Sequence, residues 1–258
     1  MLSGVTLTEA GIDVVALKPT EVDVRRAAEL DVDAATVDYE GRDAVPDRAA
    51  LADLASGVDL RTTTPVRADG FDPLGDDGLT EALPPGVGRV LVAGHQAYLT
   101  DQEAERAVAP RLRAAAADAD DPWIGTEGIE RVAMAVGGTQ FEVLSPTTAR
   151  DLRALRAAGF DGDVAVYAPA VLTEDEDDVL DAVGEYAARR RPVRKALPEG
   201  AATDATATGR ARDVLSQAVR DYALVGEPDA VADRVAGLKD AGATTVVAYP
   251  ARGLDPFL

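Results

Sequence analysis

"PWIGTEGIERVAMAVGGTQFEVLSP", residues 122–146, decides the fold, because it admits two readings. Taken as strands, "RVAMAVGG" and "TQFEVLS" form a hairpin of two apolar strands. Taken as a helix between two parallel strands, the same residues continue a strand–helix alternation. Ile129, Val132, Ala133 and Val136 stand at i, i+3, i+4 and i+7, the stripe of one helix face. Glu130 and Arg131 fall on the other side, whereas a strand would put Arg131 inside an apolar run. Thr126 reads as the N-cap and Gly137–Gly138 as the stop. The helix reading wins: "PWIG" is a very short strand, "TEGIERVAMAVGG" a helix and "TQFEVL" the next strand.

The same alternation runs outward in both directions. "IDVVAL" (12–17), "AATVDY" (34–39), "DLRTTTPV" (59–66) and "GRVLVAG" (88–94) are short apolar runs, each followed by a helical pattern or, after the third, a Gly/Pro/Asp-rich segment with a short helix near "GLTEAL". "DVAVYAP" (163–169) and "TTVVAYP" (244–250) complete eight strands. Between those two come an acidic helix, a segment at 192–208 that reads as a mobile loop, and two further helical patterns. Strands alternating with helices imply parallel pairing and right-handed crossovers. The expected fold is α/β, a (β/α)8 TIM barrel forming one domain over residues 1–258, with a helical excursion before the last strand. The alternative is an open doubly wound sheet, but no G-x-G-x-x-G follows an early strand to support it.

Composition excludes several classes of function. The chain has 258 residues, no cysteine and one histidine, which rules out disulfides, thiolate metal sites and histidine-rich metal sites. No apolar run approaches the roughly 18 residues of a membrane span, and the N-terminus carries no signal-peptide pattern. A cytoplasmic protein with no membrane partner is expected. Asp and Glu number 46 against 26 Lys and Arg, a net charge of −20, with arginine replacing lysine almost throughout. Acids spread along the whole chain suit a salt-rich archaeal cytoplasm, where screening collapses self-repulsion. No basic stripe exists to neutralise phosphates, so nucleic acid is not an expected partner.

"YALVGEPDAVADRVAGLKDAGATTVVAYP" resembles the end of the luciferase-like monooxygenase superfamily, where a "G-(T/S)-P-E-E-V" helix start leads through "AG-(V/A)" into the last barrel strand. "PWIGTEGIERVAMAVGGTQFEVLSP" is similar to that family's fifth strand, helix and sixth strand, and "DVAVYAPAVLTEDEDDVLDAVGEYAA" to its seventh strand and helix. "AAELDVDAATVDYEG" matches an early strand entry. The resemblance covers residues 122–250 and depends on the order of motifs more than on any one of them. It implies a flavin- or deazaflavin-dependent oxidoreductase that transfers a hydride to or from a small organic substrate. The cofactor would be coenzyme F420, as in the branch that includes methylenetetrahydromethanopterin reductase, or alternatively FMN. The expected partners are a small-molecule substrate and a second copy in a homodimer. The chain is short for the family, and 192–208 stands where a longer substrate-covering insertion is usual. A lost lid leaves open a catalytically inactive barrel that binds a small ligand or a protein; another barrel enzyme using Lys18 is a third reading.

In a barrel, the C-terminal strand ends form the active face. Those ends carry Lys18, Asp38, Tyr39, Thr62 to Thr64, Gly94, His95, Gly125, Thr126, Ser145 and Tyr167. Lys18 is either a phosphate or carboxylate anchor or the ion-pair partner of Asp38 or Glu40. Tyr39 and Tyr167 either flank a ring or cap the core; with Lys18 and Asp38 they are the expected substrate contacts. Ser145 reads as an N-cap ahead of Pro146. The turn Gly125–Thr126–Glu127–Gly128 could take a cofactor phosphate, although Glu127 opposes it. His95, the one side chain that ordinarily titrates near neutrality, is the expected proton donor. Thr63, Thr64, Pro65 and Gly94 complete the expected cofactor contacts. Deazaflavin members of the resembling family carry a cis peptide without proline at the end of the third strand, which costs about 3–4 kcal/mol. A cis Thr64–Pro65 bond would reach the same shape for roughly 0.5–1 kcal/mol.

Overall fold

The computed structural model describes residues 7–257. Its strands are β1 Val14–Leu17, β2 Ala34–Val37, β3 Asp59–Pro65, β4 Gly88–Val92, β5 Trp123–Gly125, β6 Thr139–Val143, β7 Val164–Val171, β8 Leu224–Val225 and β9 Thr245–Pro250. Its helices are α1 Arg48–Ala55, α2 Gly78–Ala82, α3 Asp101–Ala104, α4 Val108–Ala117, α5 Glu130–Val136, α6 Thr148–Ala157, α7 Glu176–Ala188, α8 Arg191–Ala196, α9 Gly209–Tyr222 and α10 Pro228–Ala241. All strand pairs are parallel. Strands β1 to β7 pair in chain order, and β9 enters between β7 and β1 to close an eight-stranded barrel. The eight expected strands are the eight barrel strands. The short β8 was not expected; it extends the far end of β7, Ala170 and Val171 facing Leu224 and Val225.

Alternation along each strand sorts side chains between the barrel interior and the helical shell. Val14, Ala16, Val90, Trp123, Phe141, Ala165, Tyr167, Val247 and Tyr249 pack together inside. Val15, Leu17, Ala35, Val37, Leu60, Val164 and Val166 face outward into the main core. The central segment is helical over Glu130–Val136, as its stripe requires, and Gly137 ends it at φ +89°. Its N-cap is Ile129 and not Thr126. Thr126 is committed elsewhere: its amide and Oγ1 both donate to the Phe141 carbonyl, at 3.0 and 3.3 Å.

Other boundaries moved for local reasons. The helical pattern at 100–119 is broken into α3 and α4, since Pro110 has no N–H to offer the Arg106 carbonyl. The helix after β6 begins at Thr148 with Thr147 as N-cap, not at Ser145, whose amide instead donates to Thr148 Oγ1 at 3.0 Å. The segment 192–208 is not a free loop. It starts within α8, with a proline in the first turn, and its remainder lies against α7. There the Ala205 amide donates to Asp181 at 2.8 Å, and the Thr203 carbonyl approaches Gly184 so closely that a Cβ would stand 2.2 Å from it. Helices α7, α8 and α9 form their own apolar cluster beside the end of β7, the expected excursion before the last barrel strand.

No peptide bond among the described residues is cis, so Thr64–Pro65 is trans. The pairing of β3 with β4 explains why. Register holds through Pro65 opposite Val92, and the Val66 amide donates to the Val92 carbonyl at 2.9 Å. Proline occupies the last position of β3, where no ladder donor is needed.

The stop after α5 makes a sharp test of this geometry. Gly138 and Gly128 share φ +73°, but a Cβ on Gly138 would lie 2.5 Å from the Pro122 carbonyl oxygen, whereas one on Gly128 meets nothing within 4 Å. Gly128→Ala should cost about 1–2 kcal/mol of backbone strain alone. Gly138→Ala should cost about 1–3 kcal/mol more, because a backbone carbonyl cannot move aside as a side chain can. Paired denaturant titrations check the difference; equal losses would show that the strand entry yields.

Candidate functional site at the barrel mouth

The C-terminal strand ends surround a cavity of about 700 Å³. Of the residues expected there, Lys18, Asp38, Tyr39, Thr63, Pro65, Gly94, His95, Gly125, Gly128 and Tyr167 line it. Two do not. Thr64 is fully buried and faces the shell, where Arg89 Nε lies 3.4 Å from its Oγ1. Thr126 opens onto a neighbouring cavity outside the barrel wall. Pleating explains the first: Thr63 and Pro65 point inward, so Thr64 between them must point out.

Asp38 stands in the cavity wall between two hydroxyl groups. Its Oδ2 accepts a hydrogen bond from the Tyr167 hydroxyl at 2.8 Å, and its Oδ1 lies 3.4 Å from Thr63 Oγ1. The residue opens on the cavity while its carboxyl lies deep among protein atoms. Burial pushes its pKa up to about 6, against the opposing effects of the Tyr167 hydrogen bond and the Lys18 charge. Burial and the facing carboxylate hold the Tyr167 phenol well above its ordinary range, so it remains a donor. A carboxyl poised near neutrality beside a fixed donor can take up or release a proton within the working pH range.

Lys18 is paired with neither Asp38 nor Glu40. Its Nζ lies 3.3 Å from Glu21 and 3.8 Å from the centre of the Tyr249 ring, while the Tyr249 hydroxyl donates to the other oxygen of Glu21. Glu40 accepts instead from the Thr20 amide at 2.9 Å. His95 sits exposed on the rim, where its Nδ1 accepts the Ala97 amide at 3.1 Å and caps a 3-10 turn. Arg67 holds that rim loop in place: its guanidinium donates to the carbonyls of Ala93, Gly94 and Ala104 at 2.6, 2.9 and 2.6 Å. Tyr39 meets Phe71 and Tyr98 edge to face.

Sequence reasoning missed Glu21, Arg67, Tyr98, Tyr186, Arg190 and Tyr249. Tyr249 was within reach, as the inward residue at the end of the last strand. Tyr186 from the last turn of α7 and Arg190 from the junction with α8 both line the mouth. Arg190 stacks 4.4 Å from the Tyr186 ring and pairs with Glu127 at 2.9 Å. An i, i+4 tyrosine–arginine pair is visible in sequence, but its place at the mouth is not. At the turn 125–128, Arg190 and the Gly128 amide are engaged by Glu127 and Glu130 respectively, so that turn offers a phosphate little.

Asp38→Asn should reveal the raised pKa as a stability difference. In the native state Asp38 binds its proton more tightly than unfolded, so its contribution to stability falls as pH rises from about 4 to about 6. Relative to the wild type, the asparagine variant should gain on the order of 1–3 kcal/mol between those limits. Denaturation at pH 4 and pH 7 checks the sign; a loss at pH 7 would place Asp38 among stabilising ion pairs.

Comparison with known proteins agrees with the geometry at the level of fold. A solved structure described as an F420-dependent secondary alcohol dehydrogenase in complex with an F420-acetone adduct superposes with a TM-score of 0.61 over 93% of this chain and 94% of that chain. At 12% identity the likeness is one of fold. No curated protein matches the chain. The family model described as "Family of unknown function (DUF7388)" matches residues 7–257, and the chain belongs to that family.

Proposed function

We propose that this barrel is a luciferase-like oxidoreductase, in which a hydride passes between a small organic substrate and a deazaflavin of the F420 type. The observation that carries this reading is the buried Asp38–Tyr167 pair in the wall of an open, aromatic-lined cavity at the catalytic end of the barrel. Oxidising an alcohol to a carbonyl removes a hydride from carbon and a proton from oxygen. The pair supplies what the second removal needs.

Tyr39, Tyr98, Phe141 and Val143 give the cavity walls that accept a flat ring. The Tyr186 hydroxyl and Arg190 Nε are both buried without a hydrogen-bond partner, and both residues line the cavity. Unpaired buried donors cost about 1–3 kcal/mol each, and an anionic group of the cofactor would satisfy them. The residues therefore fit. When bound, the deazaflavin supplies the hydride acceptor or donor. Asp38 as carboxylate takes the substrate hydroxyl proton in oxidation and returns it in reduction. Tyr167 holds that carboxylate in place by its hydrogen bond. Lys18, drawn aside by Glu21, lies near enough to Asp38 to favour its charged form. His95 belongs to the rim, where its exposed Nε2 is free for a substrate contact. The acidic surface suits a salt-rich cytoplasm.

A second reading has its own observation. Lys18 and Arg190 are already paired with Glu21 and Glu127, and the trans Thr64–Pro65 bond withdraws the backbone feature expected of deazaflavin members. That favours a barrel that binds a small ligand without redox chemistry.

Titration of the purified chain with F420 and with FMN at high salt, followed by absorbance, separates the two. Binding of F420 in the micromolar range is expected, and weakened binding in Arg190→Ala. Failure of both cofactors to bind at high micromolar concentration would leave the ligand-binding barrel. With a cofactor bound, Asp38→Asn should lower alcohol oxidation about 10²–10⁴-fold, and the wild-type rate should fall as pH drops through about 6, where Asp38 protonates.

A further inference from the structure

Strand β6 has two faces with different chemistry. Phe141 and Val143 point into the barrel cavity, and Gln140 and Glu142 point outward. The outer faces of β1, β2 and β7 are aliphatic, with Val15 and Leu17, Ala35 and Val37, and Val164 and Val166 against the shell. A glutamine and a glutamate in the equivalent places on β6 face a second cavity, of about 510 Å³, between α5 and α6. Glu127, Gly128, Val143 and Arg190 line both cavities and form the partition between them.

The second cavity holds an excess of acceptors. Gln140 is only 3% exposed; its Nε2 lies 3.2 to 3.5 Å from the carbonyls of Gly138, Gly137 and Ala133, and its Oε1 has no partner. Glu142 accepts from Thr148 Oγ1 at 3.2 Å and forms no ion pair among the described residues. Burial, with the charges of Asp151 and Glu130, raises its pKa. Glu130 and Asp151 also line the cavity, Asp151 in an exposed pair with Arg150. Arg190 is the one cation in the lining, and Glu127 already holds it. Between these polar groups run Met134, Leu144, Leu152 and Leu155.

We propose that this second cavity binds an organic cation, an ammonium group carried on an aliphatic chain. The ammonium would donate to the Glu142 carboxylate and to Gln140 Oε1, and the chain would lie along Leu144, Leu152 and Met134. An ammonium brings three donors and the charge the site lacks. A carboxylate or phosphate meets repulsion, and a hydroxyl offers one donor and no charge. A metal ion is a poorer occupant, since the described residues include no cluster of metal-ligating side chains. The inference is independent of the redox reading of the barrel.

Calorimetric titration of the full chain with hexylammonium, 1-hexanol and hexanoate at one fixed salt concentration tests it. Hexylammonium should bind about ten-fold or more tightly than hexanol, and hexanoate should not bind. Glu142→Gln should remove that preference, and Gln140→Leu should weaken ammonium binding several-fold. Met134→Trp, at a residue 40% exposed on the cavity wall, should block binding by filling the groove without touching the buried polar groups. Equal affinity for hexanol, or hexylammonium binding unchanged in Met134→Trp, would overturn the proposal, the latter by showing association with the acidic surface. Absence of hexylammonium binding at millimolar concentration would do the same.

Discussion

Everything at the mouth depends on one seam. Strand β9 enters between β7 and β1, aligned with β7 over six residues from Thr245 to Pro250 but with β1 only at Val247 and Ala248. The short side is reinforced at its base by one carboxylate. Asp13 Oδ2 accepts the Val246 amide at 2.7 Å, and its Oδ1 accepts Lys239 Nζ, also at 2.7 Å. Lys239 reaches on to the Gly11 carbonyl at 2.9 Å. The clamp thus ties β1, β9 and α10 together where the strand ladder is weakest. Closing the ring turns alternation along each strand into a distinction between inside and outside.

That distinction places the Asp38–Tyr167 pair. Asp38 and Tyr167 are 129 residues apart and meet only because β2 and β7 stand in one closed wall. The low-dielectric interior then does to Asp38 what no local sequence context could, raising its pKa by desolvation. Along β6 the same alternation gives two sites from one strand: an apolar face for the barrel cavity and a polar face for the cavity behind it. A one-residue register slip would exchange them.

An acidic chain must hold its loops with few cations, and here arginine does that work. Arg67 binds two carbonyls of the rim loop and the Ala104 carbonyl at the end of α3. Asp72, 1% exposed, takes both Arg106 at 3.2 Å and Arg111 at 2.9 Å. A planar guanidinium presents five donors in a fixed fork, so one side chain spans acceptors set further apart than those around a single ammonium. Asp72 follows Phe71, whose ring meets Tyr39 of the cavity wall edge to face. With two arginines on one carboxylate, losing either leaves Asp72 paired with the other.

Much of this was written in local pattern. The stripe Ile129, Val132, Ala133 and Val136 is a property of a few consecutive residues, so sequence was enough to make 130–136 a helix, to find all eight barrel strands and to close them as a barrel. The rule that strand ends form one face of a barrel likewise put Lys18, Asp38, Thr63 and Tyr167 in the lining of the mouth cavity. What sequence could not supply was partnership. Lys18 takes Glu21 rather than Asp38, Tyr186 and Arg190 reach the mouth from the last turn of α7 and its junction with α8, and Thr64–Pro65 stays trans because β4 holds its register. Each of these depends on groups brought together across tens of residues by ring closure. Periodicity reports which face a residue shows, and only the closed barrel decides what that face meets.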